Sequence, residues 1–153
     1  MLRTLVIFMA LSGIAYAQEP KLTLGWTTFL DEDPIDHLVA GGSMRFYVTP
    51  RMGIEPEFLY MRGPRQDRDI TFIPHFTYDF GNSLRRVPYV TGGMGVMRHT
   101  DMVGTGKYTN TEWTVSGGVG MKFFLTEKVF IAPEFRMGFE PILRATASIG
   151  FVF

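Results

Sequence analysis

From residue 18 to its end this chain alternates bulky apolar residues with small or polar ones at a period of two, and no stretch there holds the 3.6-residue period of an amphipathic helix for more than a turn. The alternation predicts eight strands, over 21–30, 37–48, 52–61, 69–80, 86–97, 112–125, 129–138 and 142–153. Each is 10–14 residues long, whereas strands of soluble proteins usually have about five or six and tilted membrane-crossing strands about 9–11. Length therefore points to strands that cross a bilayer.

Sorting by parity sharpens this. One face carries Leu22, Leu24 and Trp26, then Ile54, Phe58 and Tyr60, then Ile70, Phe72, Phe76, Tyr78 and Phe80, and on to Trp113, Val115, Val119, Ile149, Phe151 and Phe153; it holds no charge. The opposite face is mostly Gly, Ser and Thr, with isolated charges and His75. An eight-stranded barrel has an interior just wide enough for side chains to fill, so some thirty bulky residues cannot all point inward. A soluble barrel or sandwich would also need a charge-rich outer face, and the polar face here is too poor in charge. The expected fold is all-β: an eight-stranded antiparallel up-and-down transmembrane β-barrel.

Connection lengths agree. "TPR" (49–51), "GNS" (81–83) and "TEK" (126–128) are tight, while 31–36, 62–68 and 98–111 are longer and polar. Short turns on one side of the membrane and long loops on the other are the arrangement of membrane barrels; the short connection at 139–141 departs from it. The segment ahead of the first strand, "MLRTLVIFMALSGIAYA", has one basic residue, an apolar run too short to span and a small-residue end. It reads as a secretory signal peptide over 1–17, cleaved after Ala17, leaving one barrel domain over 18–153.

Without Arg3 the mature chain has 14 basic and 15 acidic residues, so no global field recruits nucleic acid. There is no cysteine, which removes disulfides, thiolate metal ligands and thiol nucleophiles. The final strand is expected to pair with the first, because an open edge in lipid leaves unpaired backbone groups at several kcal/mol each. Trp26, Tyr60, Tyr78 and Trp113 then suit the aromatic girdles at the membrane interfaces, with Phe151 and Phe153 closing the chain. Pro56, Pro74, Pro88 and Pro133 fall inside the strands and are expected to mark bulges. "MRFYVTPRMGIEPEF" (44–58) is echoed 77 positions later by "MKFFLTEKVFIAPEF" (121–135); a duplicated four-strand half and a shared hairpin grammar explain it equally well.

The leader, "PYVTGGMGV" (88–96), "GGVGMKFFLTEKVFIAPEFR" (117–136) and the terminal "SIGFVF" (148–153) together make the chain resemble the small eight-stranded outer-membrane barrels of Gram-negative bacteria, the group of OmpA-like transmembrane domains and OmpX-like proteins. The resemblance spans the mature chain. It implies location in the cell outer membrane, contact with outer-membrane lipids and lipopolysaccharide, both termini in the periplasm, and insertion by the barrel-assembly machinery, which in this family reads a last strand ending in phenylalanine.

Candidate site residues lie on the polar face. If the first tight turn pairs Val48 with Met52, Arg45 faces Glu55 and is diagonal to Glu57; Lys122 is diagonal to Glu134, and Glu134 to Arg144, with Arg136 nearby. Charges inside a narrow barrel must be paired or hydrated, so Arg45, Glu55, Glu57, Lys122, Glu134, Arg136 and Arg144 are expected to plug the lumen, with Glu134 shared by Lys122 and Arg144. Lipid A deacylases of this size carry His-x-Ser on the seventh strand, where this chain reads "APEFRMG" (132–138); His75 is lumen-facing near Asp79, but no spacing fixes a serine against it. No catalytic group is expected. Arg98, His99 and Lys107 in the third outer loop are possible surface contacts, and the acidic first loop (Asp31, Glu32, Asp33, Asp36) lacks a cation-binding spacing. No metal or cofactor site is expected. The reading is a monomeric barrel with a structural or surface-interaction role; the alternatives are a narrow pore for small solutes and a lipid A-modifying enzyme.

Overall fold

The computed structural model describes residues 18–30, 35–64, 67–81, 85–103, 106–139 and 142–153. The expected signal peptide lies outside the described residues. The chain forms eight strands: β1 (Gln18–Phe29), β2 (Ile35–Tyr47), β3 (Met52–Arg62), β4 (Arg68–Asp79), β5 (Arg86–Val103), β6 (Gly106–Phe124), β7 (Val129–Gly138) and β8 (Ile142–Phe151). Each pairs antiparallel with its sequence neighbours, and β1 also pairs with β8 (Leu22 with Ile149, Trp26 with Ala145), so the sheet is a closed barrel. Closure reaches the last residue, where Phe153 N donates to Gln18 O at 3.1 Å.

Parity sorts the faces as the alternation predicts. Leu22, Leu24, Trp26, Phe58, Phe72, Phe76, Val119 and Phe135 are exposed around the outside, where lipid would lie, while Glu19, Lys21, Arg45, Glu55, Glu57, Lys122 and Arg136 are buried inside. A membrane-spanning barrel is apolar outside because lipid cannot solvate charge, and polar inside because a narrow lumen of paired charges can.

Two expectations need correction. The segment 98–111 is not an irregular loop: β5 and β6 continue through it, pairing Arg98 with Thr111, His99 with Asn110 and Val103 with Gly106. The outward residues become polar above Val96, ending the lipid-facing pattern, but the ladder between two neighbouring strands needs no lipid to persist. The prolines, in turn, make no bulges. Ser43 pairs with Glu57 and Phe46 with Ile54, so the register is the same on both sides of Pro56. The β4–β5 register is likewise unchanged across Pro74, and the β6–β7 register across Pro133. In each case two consecutive ladder pairings are skipped, the one at the proline and the one beside it, because the ring removes a donor without adding a residue.

Candidate functional site

The lumen is filled in layers. Nearest the termini and tight turns, Tyr89, Phe130 and Ala132 pack with Phe124 and Val152. Beside them Lys122 Nζ lies 2.7 Å from Glu19 Oε2 and 2.9 Å from Asp79 Oδ2, and also donates to Tyr47 Oη. Tyr47 in turn donates to Asp79 Oδ2 at 2.5 Å. Arg45 bonds Glu55 Oε2 through Nε at 2.7 Å and Asp79 Oδ1 through a terminal nitrogen at 2.8 Å, and its guanidinium sits 4.7 Å from the Tyr89 ring centre. Glu55 also takes the Lys21 ammonium and the Ser43 hydroxyl.

A second cluster centres on Glu57, whose Oε1 accepts from Arg136 at 3.0 Å and Arg144 at 2.9 Å and lies 3.3 Å from His75 Nε2. Glu134 pairs with Arg136 and accepts from the Tyr89 hydroxyl at 2.8 Å. Across both clusters the buried cations Lys21, Arg45, Lys122, Arg136 and Arg144 meet an equal number of buried anions, Glu19, Glu55, Glu57, Asp79 and Glu134. A set this dry is tolerable only because it is balanced and bonded.

Lumen glycines make room for it. A Cβ on Gly118 would stand 2.5 Å from Arg136 Cγ, and one on Gly120 2.4 Å from Tyr89 Cζ, so each long side chain lies over a neighbouring strand that has no side chain at that point.

Of the seven residues expected in the network, all are lumen-facing, but their partners are redistributed. Arg45 meets Glu55, whereas Glu57 is taken by Arg136 and Arg144, and Arg136 also donates to His75 Nε2 at 2.6 Å. Glu134 is not the shared partner of Lys122 and Arg144: Lys122 reaches Glu19 and Asp79, and Arg144 reaches Glu57. The small bore lets long side chains cross it to distant strands, so cross-strand diagonals do not decide pairing. The sequence reading missed Glu19, Lys21, Tyr47, Asp79 and Tyr89 as members; the inward parity of their positions was the available signal.

Above the charges Val39, Leu59, Met61 and Met97 form a buried apolar cluster, capped by Phe29 and Ile142. A void of about 30 Å³ beside it is lined by Thr71, Ser116 and Arg144, whose Oγ1, Oγ and Nε have no protein partner; it is the size and polarity of a single water site. At the loop end, His37, Asp67, Asp69, His99 and Glu112 form a histidine–carboxylate rim. His37 Nε2 is 2.7 Å from Asp67 Oδ2 and 3.4 Å from Asp69 Oδ2, and His99 lies 2.7 Å from Asp69 and 2.5 Å from Glu112.

The profile of the family described as outer membrane protein beta-barrel domain matches residues 4–138. The chain belongs to that family. Among solved structures, the chain is similar to the N-terminal β-barrel domain of Pseudomonas aeruginosa OprF (18% identity, 91% of this chain and 98% of that one, TM-score 0.75) and to Neisserial surface protein A (10%, 89% and 95%, TM-score 0.73). It is also similar to the outer membrane enzyme PagL (13%, 86% and 97%, TM-score 0.53). No curated protein matches it by sequence. At these identities the structures share the fold alone, an outer-membrane barrel that hosts both enzymes and other proteins, so function must be read from the lumen and rim.

Among the described residues, no lumen serine has a histidine as hydrogen-bond partner. Ser43 donates to Glu55, Ser148 pairs with Thr23, and Ser116 faces the void. The inward residues of β7 near the expected His-x-Ser position are Ala132, Glu134 and Arg136. Trp26, Tyr60 and Trp113 are outward in the loop half, Tyr78 packs edge-on against Phe80 in the turn half, and Phe151 and Phe153 are exposed at the turn end. Arg98 is exposed on β5 and His99 is inward on the rim; the side chain of Lys107 lies outside the described residues.

Proposed function

We propose that this protein is a non-conducting, non-enzymatic outer-membrane barrel that acts through its outer surface and loop-end rim, as a monomer inserted by the barrel-assembly machinery. The observation that carries this reading is the lumen, which two bonded charge clusters and an apolar layer fill, with a water-sized void beside them. Conduction would require breaking several buried ion pairs together. A surface role is further supported by Arg62, Arg68 and Arg98, which are exposed on adjoining strands just above the apolar band, with Arg62 paired to Arg68 and Arg98 to Ile70. Cations at that level suit the phosphates of lipopolysaccharide, while Trp26, Tyr60, Tyr78 and Trp113 suit the interface girdles and Phe151 and Phe153 the insertion signal.

The test is to refold the mature chain into liposomes loaded with a small dye. Insertion without release is expected. Release that is abolished in Arg45→Ala or Lys122→Ala would establish the narrow pore instead, and an altered lipid A mass spectrum in cells expressing the protein would establish the enzyme.

A further inference from the structure

We propose that the loop-end rim is a binding site for a divalent transition-metal ion of the zinc type, held by His37, Asp67 and Asp69. The three residues come from β2, the connection before β4, and β4 itself, and their donor atoms all lie within 4.8 Å of one another. Zinc bound by imidazole nitrogen and carboxylate oxygen at about 2.0–2.2 Å in a tetrahedron sets its donors roughly 3.3 Å apart. His37 Nε2 and Asp69 Oδ2 already stand 3.4 Å apart. Asp67 Oδ2, 2.7 Å from the same nitrogen, has only to withdraw slightly, and its side chain is the most exposed of the three, which also leaves a fourth position open to water.

Two independent features point to an ion rather than to a closed hydrogen-bond network. First, Asp69 is 1% exposed, yet its Oδ2 has no hydrogen-bond donor, although its other oxygen is held by His99. This buried carboxylate oxygen, 3.4 Å from His37 Nε2, is an unpartnered donor atom of the kind a metal completes. Second, among the described residues the ion-pair partners of Asp67, Asp69 and Glu112 are histidines, so the charges do not balance there as they do in the plug. A Cβ on Gly63 would lie 2.5 Å from His37 Nε2 and 2.8 and 2.9 Å from the two adjoining ring carbons, so glycine lets the turn that carries Asp67 lie against the face of the imidazole. The turn that carries Gly63 is tied to Asp67 by Gly63 N to Asp67 O and Asp67 N to Pro64 O, each 3.0 Å.

His99 and Glu112 then act as positioning residues. His99 holds the ligating carboxylate through Nδ1 while Glu112 fixes its other nitrogen, the outer-shell arrangement that orients metal ligands.

The test is titration calorimetry of the refolded barrel in detergent micelles with zinc chloride, with magnesium chloride as the comparison. One equivalent of zinc and no magnesium should bind. His37→Ala and Asp69→Asn should abolish binding, His99→Ala should weaken it 10–100-fold, and Gly63→Ala, which keeps every ligand, should weaken it at least as much. Wild-type NMR supplies a readout independent of variant folding: zinc should shift the His37 ring signals and leave His75 unmoved. Absence of stoichiometric zinc binding, unchanged affinity in the His37 and Asp69 variants, or movement of His75 instead of His37 would each overturn the proposal.

Discussion

At the residue scale, the parity of each strand places the lumen charges, and the narrowness of the bore pairs them. Parity alone assigns Arg45, Glu57, Lys122 and Arg136 to the lumen, because a one-residue slip would put every one of them in lipid. Partner choice depends on the curvature of the closed sheet: Lys122 bonds Glu19 across a separation of 103 residues, which no local spacing announces. The wiring makes Glu57 and Glu134 unequal. Glu57 is the carboxylate bonded to Arg144 and also one of two on Arg136, whereas losing Glu134 still leaves Arg136 bonded to Glu57. Removing one member of a buried ion pair costs about 3–5 kcal/mol. Glu57→Ala should therefore lose an amount in that range and Glu134→Ala clearly less, read as the shift in urea midpoint of the micelle-refolded barrel. Equal losses would mean that water already replaces either carboxylate.

At the element scale, the echoed hairpins β2–β3 and β6–β7 share more than their letters. Both turns close the same way, Val48 N to Met52 O at 2.8 Å and Leu125 N to Val129 O at 2.9 Å, and in each a threonine hydroxyl accepts from a backbone amide at 3.0 Å, Thr49 from Met52 and Thr126 from Val129. Both ladders skip their pairing beside the matching proline, and both contribute a lumen cation and a glutamate. The turns could be read from the sequence because Thr supplies its own local acceptor. The prolines could not, since a missing donor looks the same in sequence whether or not the chain inserts an extra residue to accommodate it. A neutral side-chain-to-backbone hydrogen bond is worth about 0.5–1.5 kcal/mol, and the two turns share no partner. Thr49→Ala and Thr126→Ala should each cost about 1 kcal/mol, and the double variant should show their sum in the same urea assay.

At the scale of the whole molecule, the barrel is stratified along its axis, and only its loop-end stratum carries histidines facing carboxylates above the membrane. His99 stands there because β5 and β6 run on beyond Val96 and Trp113, the last outward apolar pair, so its ring is outside the lipid-facing band. The hydrogen bond to Asp69, opposed by partial burial and reinforced by the charges of Asp69 and Glu112, raises its pKa from 6.5 to about 9. A group whose folded pKa is raised stabilises the fold fully below its unfolded value, and that contribution disappears as pH climbs through the folded one. In the metal-free barrel, kept so with a chelator, the stability advantage of wild type over His99→Gln should be constant below about pH 6.5 and shrink between there and about pH 9. Urea midpoints of both proteins across that range check the sign directly: an advantage that grew with pH would mean that the ring is held neutral in the fold, and that the rim carboxylates do not control it.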